Sequence, residues 1–252
     1  MNNTVFAFLL TIMAGLSTLV GALTIFIRKG SHTKIILSSL SFAAGVMITV
    51  SIIDLVPESI ELLRDNLSPI GTIFVSVLGI VMGVVISMLI DYYLPDKPIN
   101  NTKDKSLFKV GIISMIAIIL HNVPEGIATF VATNSDLNLG ISLTIAIAMH
   151  NIPEGISIAI PIYYSTGSRS RAFLYTFISA LSEPFGALIT FLFLKNIMNN
   201  IILGILFSVI AGIMLQISFC ELLPTARKYK NDKFLIVCFC LGVLFMLINF
   251  FI

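Results

Sequence analysis

Two stretches decide how this chain folds. Residues 108–131 read FKVGIISMIAIILHNVPEGIATFV, and residues 138–164 read NLGISLTIAIAMHNIPEGISIAIPIYY. A helix needs about 20 apolar residues to cross a hydrocarbon core about 30 Å thick, and both stretches are long enough. Each carries the same polar hexapeptide near its middle: His121-Asn122-Val123-Pro124-Glu125-Gly126 and His150-Asn151-Ile152-Pro153-Glu154-Gly155. Working outward, six further apolar spans lie at 4–27, 35–57, 71–94, 172–195, 201–223 and 233–251. The expected fold is an all-α polytopic membrane protein, one transmembrane domain over 1–252 with eight transmembrane helices. The first span follows Met1-Asn2-Asn3-Thr4 with no basic segment, so it reads as a retained helix and not a cleaved signal.

Composition supports that reading. Of 252 residues, 57% are hydrophobic and 11% charged, whereas soluble domains carry roughly 25% charged residues. So few charges exclude an ordinary cytosolic enzyme, a disordered chain and a secreted disulfide scaffold. Cys220, Cys238 and Cys240 have no metal-ligand spacing.

Lysine and arginine set the orientation. Arg28, Lys29 and Lys34 follow the first span; Lys97, Lys103, Lys105 and Lys109 the third; Arg169 and Arg171 the fifth; Arg227, Lys228, Lys230 and Lys233 the seventh. These are 13 of 15 basic residues, against Arg64 and Lys195 on the other side. The odd loops are therefore expected in the cytoplasm and both termini outside.

An internal repeat joins the second and seventh spans. Ser41 to Met47, Ser51 and Asp54-Leu55-Val56-Pro57 match Ser208 to Met214, Ser218 and Glu221-Leu222-Leu223-Pro224 at an offset of 167. The first and sixth spans match at an offset of 165, with Gly21-Ala22-Leu23 on Gly186-Ala187-Leu188. Paired spans run in opposite directions, so spans 1–3 and 6–8 are expected as an inverted repeat around a central pair, 4 and 5. Many secondary transporters are built this way.

The doubled hexapeptide carries the chemistry. His and Glu four residues apart share one helical face, one turn apart. The proline between them frees a backbone carbonyl, and the glycine permits close helix approach. A carboxylate at mid-bilayer costs on the order of 3 kcal/mol on insertion scales. Glu125, Glu154 and a third, Glu183 in Ser182-Glu183-Pro184, therefore need a cation, a proton or water. Imidazole, carboxylate and amide oxygen together suit zinc, iron, manganese and related divalent ions. Two other readings stay open: hydrogen-bonded kinks with neutral side chains, and a proton relay without metal. Asp54 and Glu58 at the outer end of the second span, and Glu221 at the inner end of the seventh, are candidate pathway residues. Asp91, before Tyr92-Tyr93, reads as an interfacial anchor, Asp136 as loop, and Cys220 as packing.

On these motifs the chain resembles the ZIP (Zrt/Irt-like) family of divalent-metal transporters, in its short bacterial form, over nearly its whole length. The resemblance implies eight helices, extracytoplasmic termini, a bacterial cell membrane, a homodimer, and a centre between the fourth, fifth and sixth helices that can hold two metals per protomer. His121, Glu125, His150 and Glu154 would hold one ion. Asn122, Asn151 and Glu183, aided by Glu125 and Glu154, would hold the other. Two departures stand out. The loop 95–105 has no histidine where many relatives are His-rich, and Cys220 stands where some have histidine.

The function expected is transport of divalent transition metals into the cytoplasm by alternating access, with zinc the leading substrate and iron, manganese, cobalt and cadmium also suited. The metal is substrate, no catalytic cofactor is expected, and the partners are metal ions and the bilayer, not nucleic acid. The alternative is a proton-coupled carrier of a small organic solute using the same carboxylates. An intramembrane metalloprotease typically needs His-Glu-x-x-His on one helix, which this chain lacks.

Overall fold

The computed structural model describes residues 3–26, 32–93, 104–194 and 199–251. Among these residues the elements are all helical. Eight helices are long and apolar enough to cross a membrane: α1 (Asn3–Phe26), α2 (His32–Arg64), α3 (Pro69–Tyr93), α4 (Lys105–Ser135), α5 (Leu137–Thr166), α6 (Arg169–Phe193), α7 (Asn200–Arg227) and α8 (Asp232–Phe250). The protein is a multi-pass membrane protein. Arg28, Lys29, Lys97, Lys103, Lys195 and most of the loop 95–105 lie outside the described residues.

Short polar residues between the spans act as caps, because a helix leaves its first N–H groups without partners. Asp104 accepts from the Leu107 N–H at 3.0 Å to start α4, and Asn199 from the Ile202 N–H at 3.0 Å to start α7. Asp136 is more than loop. Its backbone N–H closes α4 on the Ala132 carbonyl at 2.8 Å, while its carboxylate accepts from the Asn138 N–H at 2.7 Å to open α5. One residue therefore separates the two helices that carry the hexapeptides.

The second span runs further than expected, to Arg64 and not 57. The expected span ended at Pro57 itself. The helix passes it by widening to a π turn at Ser51–Leu55, where the Val56 N–H bonds to the Ser51 carbonyl five residues back. A π turn takes up one extra residue, which here falls immediately ahead of the proline. The matching segment of α7 does the same: Ser218–Leu222 forms a π turn, the Leu223 N–H bonds to the Ser218 carbonyl, and Pro224 follows. In α6, Pro184 lies just past an interruption between Ala180 and Ser182.

Four helix pairs approach closely through glycine. A Cβ on Gly21 would collide with the Ile152 carbonyl oxygen and one on Gly155 with that of Thr18, so α1 lies against α5. Gly126 meets the Glu183 carbonyl and Gly186 that of Val123, joining α4 to α6. Gly83 and Gly212 join α3 to α7, and Gly45 and Gly242 join α2 to α8, in the same reciprocal way. Small residues let membrane helices pack without a hydrophobic driving force. Helices α1, α4, α5 and α6 form one mutually packed set. In the other, α2 lies on α8 and α3 on α7, and the C-terminal part of α2 lies on α7, while its N-terminal part also touches α5 of the first set. Exchanging α1 with α6, α2 with α7, α3 with α8 and α4 with α5 carries each of the four glycine contacts onto another of the four.

Candidate metal centre

The two hexapeptides meet inside the α1–α4–α5–α6 set. Pro124 and Pro153 sit within unbroken helices, each two residues after an asparagine and one before a glutamate. Gly126 and Gly155 then draw α6 and α1 against these motifs. All seven candidate residues are buried, none more than 4% exposed.

Glu125 lies at the centre. Its Oε1 is 2.7 Å from His150 Nε2 and 3.1 Å from His121 Nε2. The second approach is off the hydrogen-bond line, since His121 Nε2 has no hydrogen-bond partner. His121 Nε2 is also 3.5 Å from Glu154 Oε1. Ligand atoms of His121, Glu125 and His150 all lie within 4.8 Å of one another, close enough to share one ion. Beside them, Asn151 Nδ2 donates to Glu183 Oε2 at 2.9 Å and to the Ala14 carbonyl at 3.0 Å. With its N–H groups used, Asn151 keeps its Oδ1 unpartnered. Both amide atoms of Asn122 are unpartnered.

Every one of these seven residues has at least one buried polar atom with no hydrogen-bond partner. Among the described residues, the other such atoms are all serine or threonine hydroxyls. A buried unsatisfied group costs about 1–3 kcal/mol, and more if charged. Carboxylate oxygens, ring nitrogens and amide oxygens left open together make a donor set for a cation.

The outer candidates separate. Asp54 is half-buried and within electrostatic reach of His150, Glu125 and His121. Glu58 is exposed, with Asp54 and Glu61 as its charged neighbours. Glu221 has Asp91, Lys109 and Lys228 as its charged neighbours. Asp91 is more than an interfacial anchor, for its Oδ1 lies 2.9 Å from Lys109 Nζ. Cys220 is exposed and does not pack in the interior. The Ala14 carbonyl had no side-chain signal in the sequence. The one hint was neighbouring Gly15, where a Cβ would press 2.5 Å from the Ala180 carbonyl oxygen.

A polytopic membrane protein with a buried imidazole–carboxylate–amide cluster is the class that fold and site define. Residues 95–249 match the family profile described as ZIP zinc transporter. The zinc transporter ZupT of Clostridium perfringens is 41% identical over 274 residues, covering 99% of this chain and 96% of its own. ZupT of Oceanobacillus iheyensis is 44% identical over 245 residues, covering 92% and 91%. ZupT of Streptococcus mutans is 41% identical over 252 residues, covering 96% of each. The chain belongs to the ZIP zinc transporter family.

Proposed function

We propose that this protein carries divalent transition-metal ions, zinc first among them, across a bacterial cell membrane into the cytoplasm. The observation that carries the reading is the concentration of open polar atoms on His121, Asn122, Glu125, His150, Asn151, Glu154 and Glu183, buried among apolar helices. The relatives' designation as zinc transporters supports it. One ion sits among His121, Glu125, His150 and Glu154. A second takes Asn122, Asn151 and Glu183, with the bridging carboxylates. Zinc bonds of about 2.0–2.2 Å put neighbouring ligand atoms about 3.4 Å apart, near the spacings of 3.1 and 3.5 Å found here. With three glutamates alone, one divalent ion leaves the site net negative and a second makes it net positive, so the second binds more weakly. Asp54, within reach of the cluster, supplies a fourth carboxylate, so two ions balance the charge.

Transport proceeds by alternating access, with α1, α4, α5 and α6 moving against α2, α3, α7 and α8. The denser packing within these sets than between them supports it, as does the glycine pattern that maps onto itself when the repeats are exchanged. The lysine- and arginine-rich odd loops lie in the cytoplasm, both termini lie outside, and the protein is a homodimer. Zinc uptake into proteoliposomes tests the whole. The wild type is expected to load zinc, and Glu125→Ala and His150→Ala to lose uptake. Uptake unchanged in both variants, or no metal uptake alongside proton-driven uptake of an organic solute, overturns the reading.

A further inference from the structure

We infer that Lys109 and Asp91, together with Lys228 and Ser106, form a latch that holds the odd-loop end of the bundle shut in the conformation described. Among the described residues, polar contacts at this end cross the boundary between the helix sets. Lys109 on α4 pairs with Asp91 at the end of α3, at 2.9 Å. Lys228, just past α7, donates to Ser106 Oγ on the first turn of α4 at 2.7 Å. Glu221 lies within electrostatic reach of both lysines. The first turns of α4 are thus tied to α3 and α7, the helices it must leave if the sets are to slide.

Behind the latch the packing is apolar. Met47, Ile113, Ile118, Ile158, Met214 and Ile217 are buried in one apolar cluster drawn from α2, α4, α5 and α7, again from both sets. Ile118 is three residues from His121, and Ile158 four from Glu154, in each case toward the odd-loop end. At the opposite end the approach to the site is acidic: Asp54 is half-buried and Glu58 exposed. The site thus has carboxylates on one side of it and packed apolar side chains on the other, and the latch is the polar part of that second, closed side. The Lys109 and Asp91 side chains are 27% and 36% exposed. Exposed pairs contribute little, which suits a contact broken and remade in every cycle.

The latch rests on the alternating-access reading, but its test does not need transport. In the full chain, with Cys220, Cys238 and Cys240 replaced by alanine, Ser114→Cys places a thiol in the seal. Ser114 is fully buried, its hydroxyl has no partner to lose, and it lies between Lys109 and His121 on α4. In nanodiscs the thiol should react slowly with a membrane-impermeant maleimide. Lys109→Met and Asp91→Asn should each speed labelling about fivefold, the shift expected from losing a contact of this kind. The exchange Asp91→Lys with Lys109→Asp should restore the slow rate, which a misfolded protein would not do. Unchanged rates in both single variants, or an exchange that labels as fast as they do, overturn the latch. If the labelling pattern holds while the parent protein fails to load zinc into proteoliposomes, the carrier reading falls and the latch stands.

Discussion

The hexapeptides of α4 and α5 share five of six residues yet occupy unequal surroundings. In α4, Glu125 gathers both imidazoles on one oxygen, while Asn122 has no partner at all. In α5 the roles reverse: Asn151 is held by Glu183 and by the backbone of α1, while neither oxygen of Glu154 has a hydrogen-bond partner. Of the asparagine and glutamate in each motif, one is thus fixed and one open, and the fixed ones differ. The lesson is that a duplicated motif does not make a duplicated site. The neighbours decide the roles: Asn151 is fixed from α6 and α1, whereas Glu125 is held by imidazoles of α4 and α5 alone.

The largest expected effect breaks this comparison at its carboxylates. Glu125→Ala should weaken zinc binding by at least about a hundredfold in calorimetry, the upper end for disrupted metal shells, and Glu154→Ala by about tenfold. Equal losses would show that the glutamates are interchangeable. Acid comes next. Protons compete with metal for His121 and His150. Zinc affinity should therefore fall as the pH is lowered from about 7.5 to about 5.5. An affinity flat over that range would remove the imidazoles from the ligand set.

Smaller effects sharpen the contrast. Gly126→Ala and Gly155→Ala should each cost about 1–3 kcal/mol of stability by overpacking, read as a lower melting temperature. Only Gly126→Ala pushes on the backbone of Glu183, so only it should also weaken metal binding. Last, Asn151→Ala strands Glu183 Oε2 and should lower stability by about 1–3 kcal/mol, while the Ala14 carbonyl keeps its bond from the Ser17 hydroxyl at 2.6 Å. Asn122→Ala, which breaks no hydrogen bond, should leave the melting temperature unchanged.

The eight spans were legible in the sequence because unbroken apolar length leaves a chain few alternatives in lipid. The hexapeptides were legible because His, Glu and Pro at mid-span are costly enough to need a purpose. What escaped has a common cause. The length of α2 escaped because the expected span ended at Pro57, which the helix passes by widening the turn ahead of it. The Ala14 carbonyl belongs to the backbone and leaves no trace in side-chain chemistry. The nearness of Asp54 to the imidazoles, and of Lys109 to Asp91, depends on how α2 meets α5 and how α3 meets α4. Span-by-span reading assigns Asp54 to a mouth, Lys109 to a topology count and Asp91 to a membrane anchor, and offers no partner for any of them.

The widened turn at Ser51–Leu55 has one more consequence. An inserted residue rotates everything beyond it by about 100° about the axis, so the two ends of α2 present faces that no uniform screw connects. Removing a single residue there would swing the Glu58 carboxylate to another bearing without altering one side chain. Chain length, as much as composition, aims this part of the protein.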